Sequence, residues 1–216
     1  MSPSFSLSGT DEAVSWRELQ VRAKFPEYTE VSAPLAARIA QHNADVTKAK
    51  ETINDAMAAV TEAVAKAESA EPGAVGDVIA AVERCRLDRG VALQLLAESW
   101  QRREELAKEC IAEFAKLLPP AEKALAAAQE KARADLASIG CSQGALLKAQ
   151  PTLKIPDEAF DFIINQRIDH VLVARAAVQN ARTLWEAASD QIGVSKQGQA
   201  ETQAFVSKTV RRLAAI

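Results

Sequence analysis

Hydrophobic residues at seven-residue intervals dominate the segment from Ser32 to Ala70. One row of this repeat carries mainly β-branched residues, and a companion row four residues earlier carries mostly alanine. The first row holds Ile39, Val46, Ile53, Val60 and Ala67, and the second holds Leu35, His42, Ala49, Ala56, Ala63 and Ala70. A heptad sustained for this length predicts a long helix packed lengthwise against another helix.

A second heptad with the same two-row chemistry occupies the segment from Asp157 to Ile192. Its rows are Ile164, Val171, Val178, Trp185 and Ile192, and Phe160, Arg167, Ala174, Ala181 and Ala188. Because the row chemistry recurs, we predict an intramolecular bundle in which the Ile39–Ala67 row faces the Ile164–Ile192 row. Alanine in one row permits close approach of the helix axes, and the seven-residue period favours a left-handed supercoil.

Proline and glycine divide the rest of the chain. We predict a short helix between Asp11 and Phe25 that is ended by Pro26. We also predict a turn at 71–77, because Pro72, Gly73 and Gly76 lie there. A second arm starts near Asp77, with a break or sharp bend at Pro119-Pro120. A third segment ends at Gly140, and a final helix runs from about Ser195 to Leu213. We therefore predict two parts: residues 1–31 as an N-terminal arm with the short helix, and residues 32–216 as a single elongated helical-bundle domain.

The second arm carries its apolar residues at three- and four-residue steps, as expected for one face of a helix. Arg103 interrupts this face. Its predicted members are Val78, Ile79, Val82, Leu93, Leu96, Trp100, Ala107, Cys110, Phe114 and Leu117.

Composition supports a chain without sheets. Aromatic residues make up only 5%, and glycine and proline number 8 each, which is too few for frequent strand-connecting turns. The predicted fold is therefore all-α: an elongated antiparallel helical bundle or coiled-coil hairpin of about four to five long helices with alanine-rich heptad seams.

Charge and cysteine content narrow the classes of function. The net charge is −3, with 26 basic and 29 acidic residues mixed along the chain, so no basic stripe marks a nucleic-acid binder. The three cysteines have no metal-ligand spacing and fit buried thiols in a reducing compartment. Neither a signal peptide nor a membrane-spanning run is visible, so we predict a cytoplasmic protein.

No motif in the sequence predicts a catalytic residue, a metal ligand or a cofactor. The preferred interpretation of His42 is a partly exposed histidine near a helix end. The alternatives are a buried polar residue that sets helix register and, less favoured, half of a two-histidine metal site with His170. The acidic residues Asp157, Glu158 and Asp161 are expected to complement the dipole at a helix N-terminus.

The candidate interaction residues fall into three groups. The segment 141–156 has no helical or strand periodicity, and it contains the apolar residues Leu146, Leu147, Leu153 and Ile155. These residues predict that the segment either covers the helices as a strap or binds a partner, and the strap is preferred. Three arginines recur along the second heptad: Arg167, Arg175 and Arg182. Arg211 and Arg212 form a basic C-terminal end. The preferred interpretation of the arginines is side chains that cover helix seams or complement the helix dipole.

Together these patterns predict a non-catalytic structural or adaptor protein that acts through helix–helix contacts as a scaffold, spacer or assembly component. Its partners are expected to be other proteins, further copies of itself, or both, and not nucleic acid. The alternative is a membrane-surface module, similar to a BAR domain in shape only, that presents the arginine face to anionic lipid. A helical enzyme or metal protein is a weaker alternative.

Overall fold

Five α-helices account for most of the described chain. The computed structural model describes residues 22–68, 74–138 and 157–214. Within these ranges, side chains are described except at 74, at 157–160 and after Ser207. The helices are α1 (Ala33–Glu68), α2 (Ala74–Phe114), α3 (Leu118–Ser138), α4 (Asp157–Arg167) and α5 (Asp169–Ala214). These residues contain no strand, and the long helices pack against one another, so the all-α bundle prediction is confirmed.

The start of α1 follows from its first residues. The Ser32 carbonyl accepts the first helical bond, from the Ala36 amide at 2.9 Å. Pro34 lies in the first turn, where a missing N–H costs no intrahelical bond. The helix then continues for 36 residues without glycine.

The break between α2 and α3 confirms the prediction made from Pro119 and Pro120 but lies just before them. Residues 115–117 form a turn closed by short-range bonds, from the Lys116 amide to the Glu113 carbonyl and from the Leu117 amide to the Phe114 carbonyl, each 3.0 Å long. The two prolines lie in the first turn of α3, where their missing amides are tolerated. The α2 helix begins at Ala74, earlier than the predicted Asp77.

The C-terminal helices differ from the prediction in two places. The segment 157–192 is not one helix, because Ile168 separates α4 from α5. The Ile168 carbonyl accepts bonds from the Val171 and Leu172 amides, and Asp169 lies in the first turn of α5, where a negative charge is favourable. At the other end α5 passes through Gly193 without a break, since a glycine inside a helix costs only about 1 kcal/mol.

Contacts divide the chain into two compact units. Unit 1 comprises residues 1–109 and 189–216, and unit 2 comprises residues 110–188. The core of unit 1 contains Val46, Ile53, Ala92, Leu93, Leu96 and Trp100, with Val194, Phe205 and Val206 packed against them. The single domain proposed for 32–216 stays a prediction.

The core of unit 2 overturns the predicted pairing of the two heptads. Ile164 and Val171 pack with Ala132 of α3, whereas the predicted partners Val46 and Ile53 belong to the core of unit 1. The polar contacts show that α3 runs antiparallel to α4 and α5: Arg133–Asp161 at 2.9 Å, Gln129–Asn165 at 2.7 Å and Arg182–Glu122 at 3.1 Å. The pairing prediction failed because α3 also offers alternating alanine and aliphatic positions, so row chemistry alone does not select the partner helix.

The heptad rows themselves lie where they were expected. In α1 the buried members are Leu35, Ile39, His42, Val46, Ala49, Ile53 and Ala63, and in the second heptad they are Ile164, Val171, Val178, Ala181 and Ala188. Among the row members whose side chains are described, Arg167 and Trp185 are exposed. In the part of the chain that the structure describes, no helix combines the length and apolar character needed to cross a membrane.

Candidate interaction surface on helix α2

The inner face of α2 is largely the face predicted from its apolar spacing. Its buried members are Leu93, Leu96, Trp100, Ala107, Cys110 and Phe114. Val78 and Val82 are half-buried. Ile79 and Leu117 are exposed, so their assignment to this face was wrong.

Arg103 is part of this inner face and does not interrupt it. The residue is only 3% exposed, and its guanidinium group meets uncharged acceptors. Nη1 donates to the Gln191 carbonyl at 2.9 Å and to the Ser195 hydroxyl at 3.0 Å, Nη2 donates to Gln191 Oε1 at 2.6 Å, and Nε donates to the Lys24 carbonyl at 3.3 Å. Arg103 therefore ties α2 to α5 and to the chain that precedes α1.

Aromatic rings complete the surroundings of Arg103. Its guanidinium carbon lies 5.6 Å from the centre of the Phe25 ring and 5.8 Å from that of Trp100, within the range of cation–π attraction. The pKa of Arg103 is lowered to about 10, chiefly by burial and also by the nearby charge of Arg22, while Tyr28 acts in the opposite direction. The group remains charged at neutral pH, so unit 1 contains a buried cation held by dipoles and π faces.

Further polar contacts fasten residues 22–28 to unit 1. The Phe25 amide donates to Asn43 Oδ1 at 2.8 Å, and Asn43 Nδ2 returns a bond to the Phe25 carbonyl at 2.9 Å. Arg22 forms an ion pair with Glu201 at 2.9 Å. His42 Nε2 lies 2.9 Å from the Ala23 carbonyl, and the ring is buried.

These positions decide between the interpretations of the two histidines. The expectation that His42 is partly exposed was wrong, and its buried bond to Ala23 matches the register-setting alternative. Nε2 of His170 lies 3.2 Å from the Ala128 carbonyl, so each ring contacts its own backbone acceptor. Among the residues described, no group of three or more histidine, cysteine, aspartate or glutamate side chains is placed to hold a metal ion.

Stability is expected to fall on acidification because of His42. The pKa of His42 is lowered, chiefly because burial disfavours the charged ring. The charges of Arg103 and Arg102 lower this pKa as well, whereas the Ala23 carbonyl and Asp45 raise it. The unfolded chain then takes up a proton first, so the free energy of unfolding declines as the pH falls below about 6.5 and levels off below the folded pKa. The slope from this one group is at most about 1.4 kcal/mol per pH unit.

Urea denaturation at pH 8, 7, 6 and 5 would measure this decline. We expect His42→Gln to flatten the curve in that window, while His170→Gln serves as the matched control. If His42→Gln and the unmodified protein lose stability in parallel below pH 6.5, burial of neutral His42 is not the cause.

The outward face of α2 carries an apolar ridge. Leu87, Val91 and Leu95 are 73%, 57% and 43% exposed and are spaced four residues apart. Side chains at this spacing form one continuous ridge on a helix, the form that fits the groove of another helix. This ridge, Leu87–Val91–Leu95, is the candidate interaction surface.

Apolar spacing did not predict this surface, because the apolar residues of α2 were assigned to a single face of the helix. A single apolar stripe accounts for the buried residues Leu93, Leu96 and Trp100. It does not include Leu87, Val91 and Leu95, which lie on another side of the helix. Three large aliphatic residues at four-residue steps beside an already complete face were the available signal.

Of the interaction residues proposed from sequence, the side chains of Arg167, Arg175 and Arg182 are described. Leu146, Leu147, Leu153 and Ile155 lie outside the described residues, and Arg211 and Arg212 lie in α5 with side chains outside them. Arg167 and Arg175 are exposed. Arg182 is paired with Glu122 of α3 at 3.1 Å, so it serves a contact inside unit 2.

Comparison with protein-family models, with curated proteins and with solved structures found no match.

Proposed function

We propose that the protein is a non-catalytic structural or adaptor protein that acts through helix–helix contacts, with the outward face of α2 as its contact surface. The observation that carries this proposal is the exposed ridge of Leu87, Val91 and Leu95. Scattered exposed aliphatic residues are ordinary, but three at helix-ridge spacing form a surface that can bury area against a second helix.

The contacts behind the ridge support this role. The opposite side of α2 is fixed by Trp100 and by the bonds of Arg103 to α5 and to Lys24. The ridge is therefore presented on a supported helix, and little conformational entropy needs to be lost when a partner packs on it. Complete burial of an exposed aliphatic side chain contributes about 1.5–3 kcal/mol, and each ridge residue can contribute the share of this that corresponds to its exposed area.

The experiment that tests this function is affinity capture by the full chain, compared across variants and quantified by mass spectrometry, with self-association measured in parallel. We expect a stable protein partner or an oligomer, and we expect Leu87→Glu with Leu95→Glu to remove it. Val173→Glu is the matched control, because Val173 is 71% exposed on α5 in unit 2.

A chain that captures no protein, stays monomeric and turns over a small-molecule substrate would contradict the proposed function. Equal loss of the partner in Val173→Glu and in the Leu87/Leu95 variant would contradict the assignment to the ridge.

The membrane-surface alternative receives less support from the same observations. It uses Arg175 and Arg182 as a lipid-facing pair, yet Arg182 is paired with Glu122 in its own unit. Arg133 likewise pairs with Asp161 across unit 2. Lipid binding through Arg182 would have to compete with this ion pair.

A further inference from the structure

We propose that the partner of the α2 ridge is a second copy of this chain, bound antiparallel about a two-fold axis that passes through Val91. This inference rests on the proposed function and names its partner. It is drawn from the order of side chains on the outward face, which we call the α2 face. That face consists of Ala80, Arg84, Leu87, Val91, Leu95, Glu98 and Arg102.

The α2 face is symmetric about Val91 in the spacing of its members, and leucine lies on both sides of Val91. Consecutive members are three or four residues apart, as required for one side of a helix, and the steps read the same in both directions. In an antiparallel pair centred on Val91, Leu87 of one copy lies opposite Leu95 of the other. Two identical helices can therefore bring their apolar triplets together without a change of register.

The charges on either side of the ridge are complementary under the same symmetry. Arg84 and Glu98 are equally distant from Val91 along the sequence, so Arg84 of each copy lies opposite Glu98 of the other. The Arg84 side chain is 85% exposed, and that of Glu98 is 43% exposed. A parallel pair would instead set Arg84 against Arg84 and Glu98 against Glu98, which like-charge repulsion disfavours.

The contacts that Arg84 and Glu98 make within one copy are exposed. Arg84 Nε lies 3.9 Å from Asp88. Glu98 lies 3.6 Å from Arg102 Nη2 and accepts a hydrogen bond from Gln94 Nε2 at 3.2 Å. Exposed pairs of this kind contribute little, so they offer weak competition to a contact between copies. At the ends of the α2 face, Ala80 lies opposite Arg102, which pairs with Asp45 of α1 in its own copy at 3.0 Å.

An isologous contact of this kind closes on itself and yields a dimer, because each copy uses the same patch. The ridge supplies three aliphatic side chains from each copy at the centre, and the two Arg84–Glu98 pairs fix its direction. Apolar burial provides the affinity, and charge provides the orientation.

A charge exchange tests the proposal with the full-length protein, measured by sedimentation equilibrium over a concentration series. We expect the unmodified chain to form a dimer. Arg84→Glu alone and Glu98→Arg alone each replace two attractions with two repulsions, and each is expected to weaken the dimer about tenfold. The double variant Arg84→Glu with Glu98→Arg is expected to restore it, because the exchanged charges meet again across the axis.

Val91→Glu provides a second test, since it places two carboxylates on the axis and is expected to weaken the dimer by more than about a hundredfold. Val173→Glu controls for the effect of adding a carboxylate, and circular dichroism of each variant controls for folding. Residues 84 and 98 are too far apart to contact each other within one helix, so recovery in the double variant is specific to an intermolecular pair.

A monomer at all concentrations would overturn this inference, as would a dimer that the charge exchange does not restore. If the chain is monomeric but captures a different protein through Leu87 and Leu95, this inference fails and the proposed function stands. If it neither dimerises nor captures a protein, both fail.

Discussion

Replacing Arg103 with alanine is expected to lower the free energy of unfolding by about 3–5 kcal/mol. The substitution removes the guanidinium group from between Phe25 and Trp100 and leaves a cavity there. It also removes the donors that the Lys24 carbonyl, both oxygens of Gln191 and the Ser195 hydroxyl now meet. Lysine keeps the charge but not the planar group of donors, so Arg103→Lys is expected to recover only part of the loss.

The neighbouring arginine provides the control for Arg103. Arg102 is exposed and pairs with Asp45 at 3.0 Å, so Arg102→Ala is expected to cost no more than about 1 kcal/mol. Urea denaturation of the three variants gives the comparison. A cost for Arg103→Ala as small as that for Arg102→Ala would refute the structural role given to the buried cation.

Replacing Trp100 with alanine is expected to cost about 3–5 kcal/mol. The ring is fully buried, and its Nε1 donates to the Thr202 hydroxyl at 3.0 Å. It packs directly on Gly198 of α5, where an added Cβ would lie 2.5 Å from three atoms of the ring. A rigid ring held by a hydrogen bond cannot yield, so Gly198→Ala alone is expected to cost about 1–3 kcal/mol.

A double-variant cycle isolates the contact between these two residues. In the Trp100→Ala background the clash is gone, and Gly198→Ala should gain about 0.5–1 kcal/mol from helix propensity. Gly193→Ala should show that gain in the unmodified protein, because an added Cβ there meets no atom within 4 Å. If Gly198→Ala has the same effect with and without Trp100, the close packing of α2 on α5 is not present.

The sequence was sufficient for the helices and their buried rows because heptad spacing is a local property. The buried positions Ile39, Val46 and Ile53 follow directly from periodicity. The helix that packs against the second heptad could not be predicted from periodicity, since α1 and α3 both present alanine beside aliphatic residues. The choice between them depends on chain connectivity and on specific contacts such as that between Gln129 and Asn165.

The burial of two polar side chains could not be predicted from the sequence for a different reason. Arg103 and His42 are buried because carbonyls of Lys24 and Ala23, far away in sequence, accept their hydrogen bonds. No local pattern encodes such acceptors. The α2 face could in principle have been predicted, because Leu87, Val91 and Leu95 have helix-ridge spacing. Whether these residues are exposed, however, depends on which side of α2 packs against the core.

Spin-label distances measured by pulsed electron resonance test the central claim of an antiparallel α2 pair most directly. Labels are attached to Val91→Cys or to Ala80→Cys in a chain that carries Cys85→Ala and Cys141→Ser, since Cys110 is buried. We expect a short distance, under about 20 Å, for position 91. For position 80 we expect about 33 Å along the helix axis, because each copy contributes eleven residues at 1.5 Å per residue. Equal short distances at both positions, or no coupling at position 91, would contradict the account.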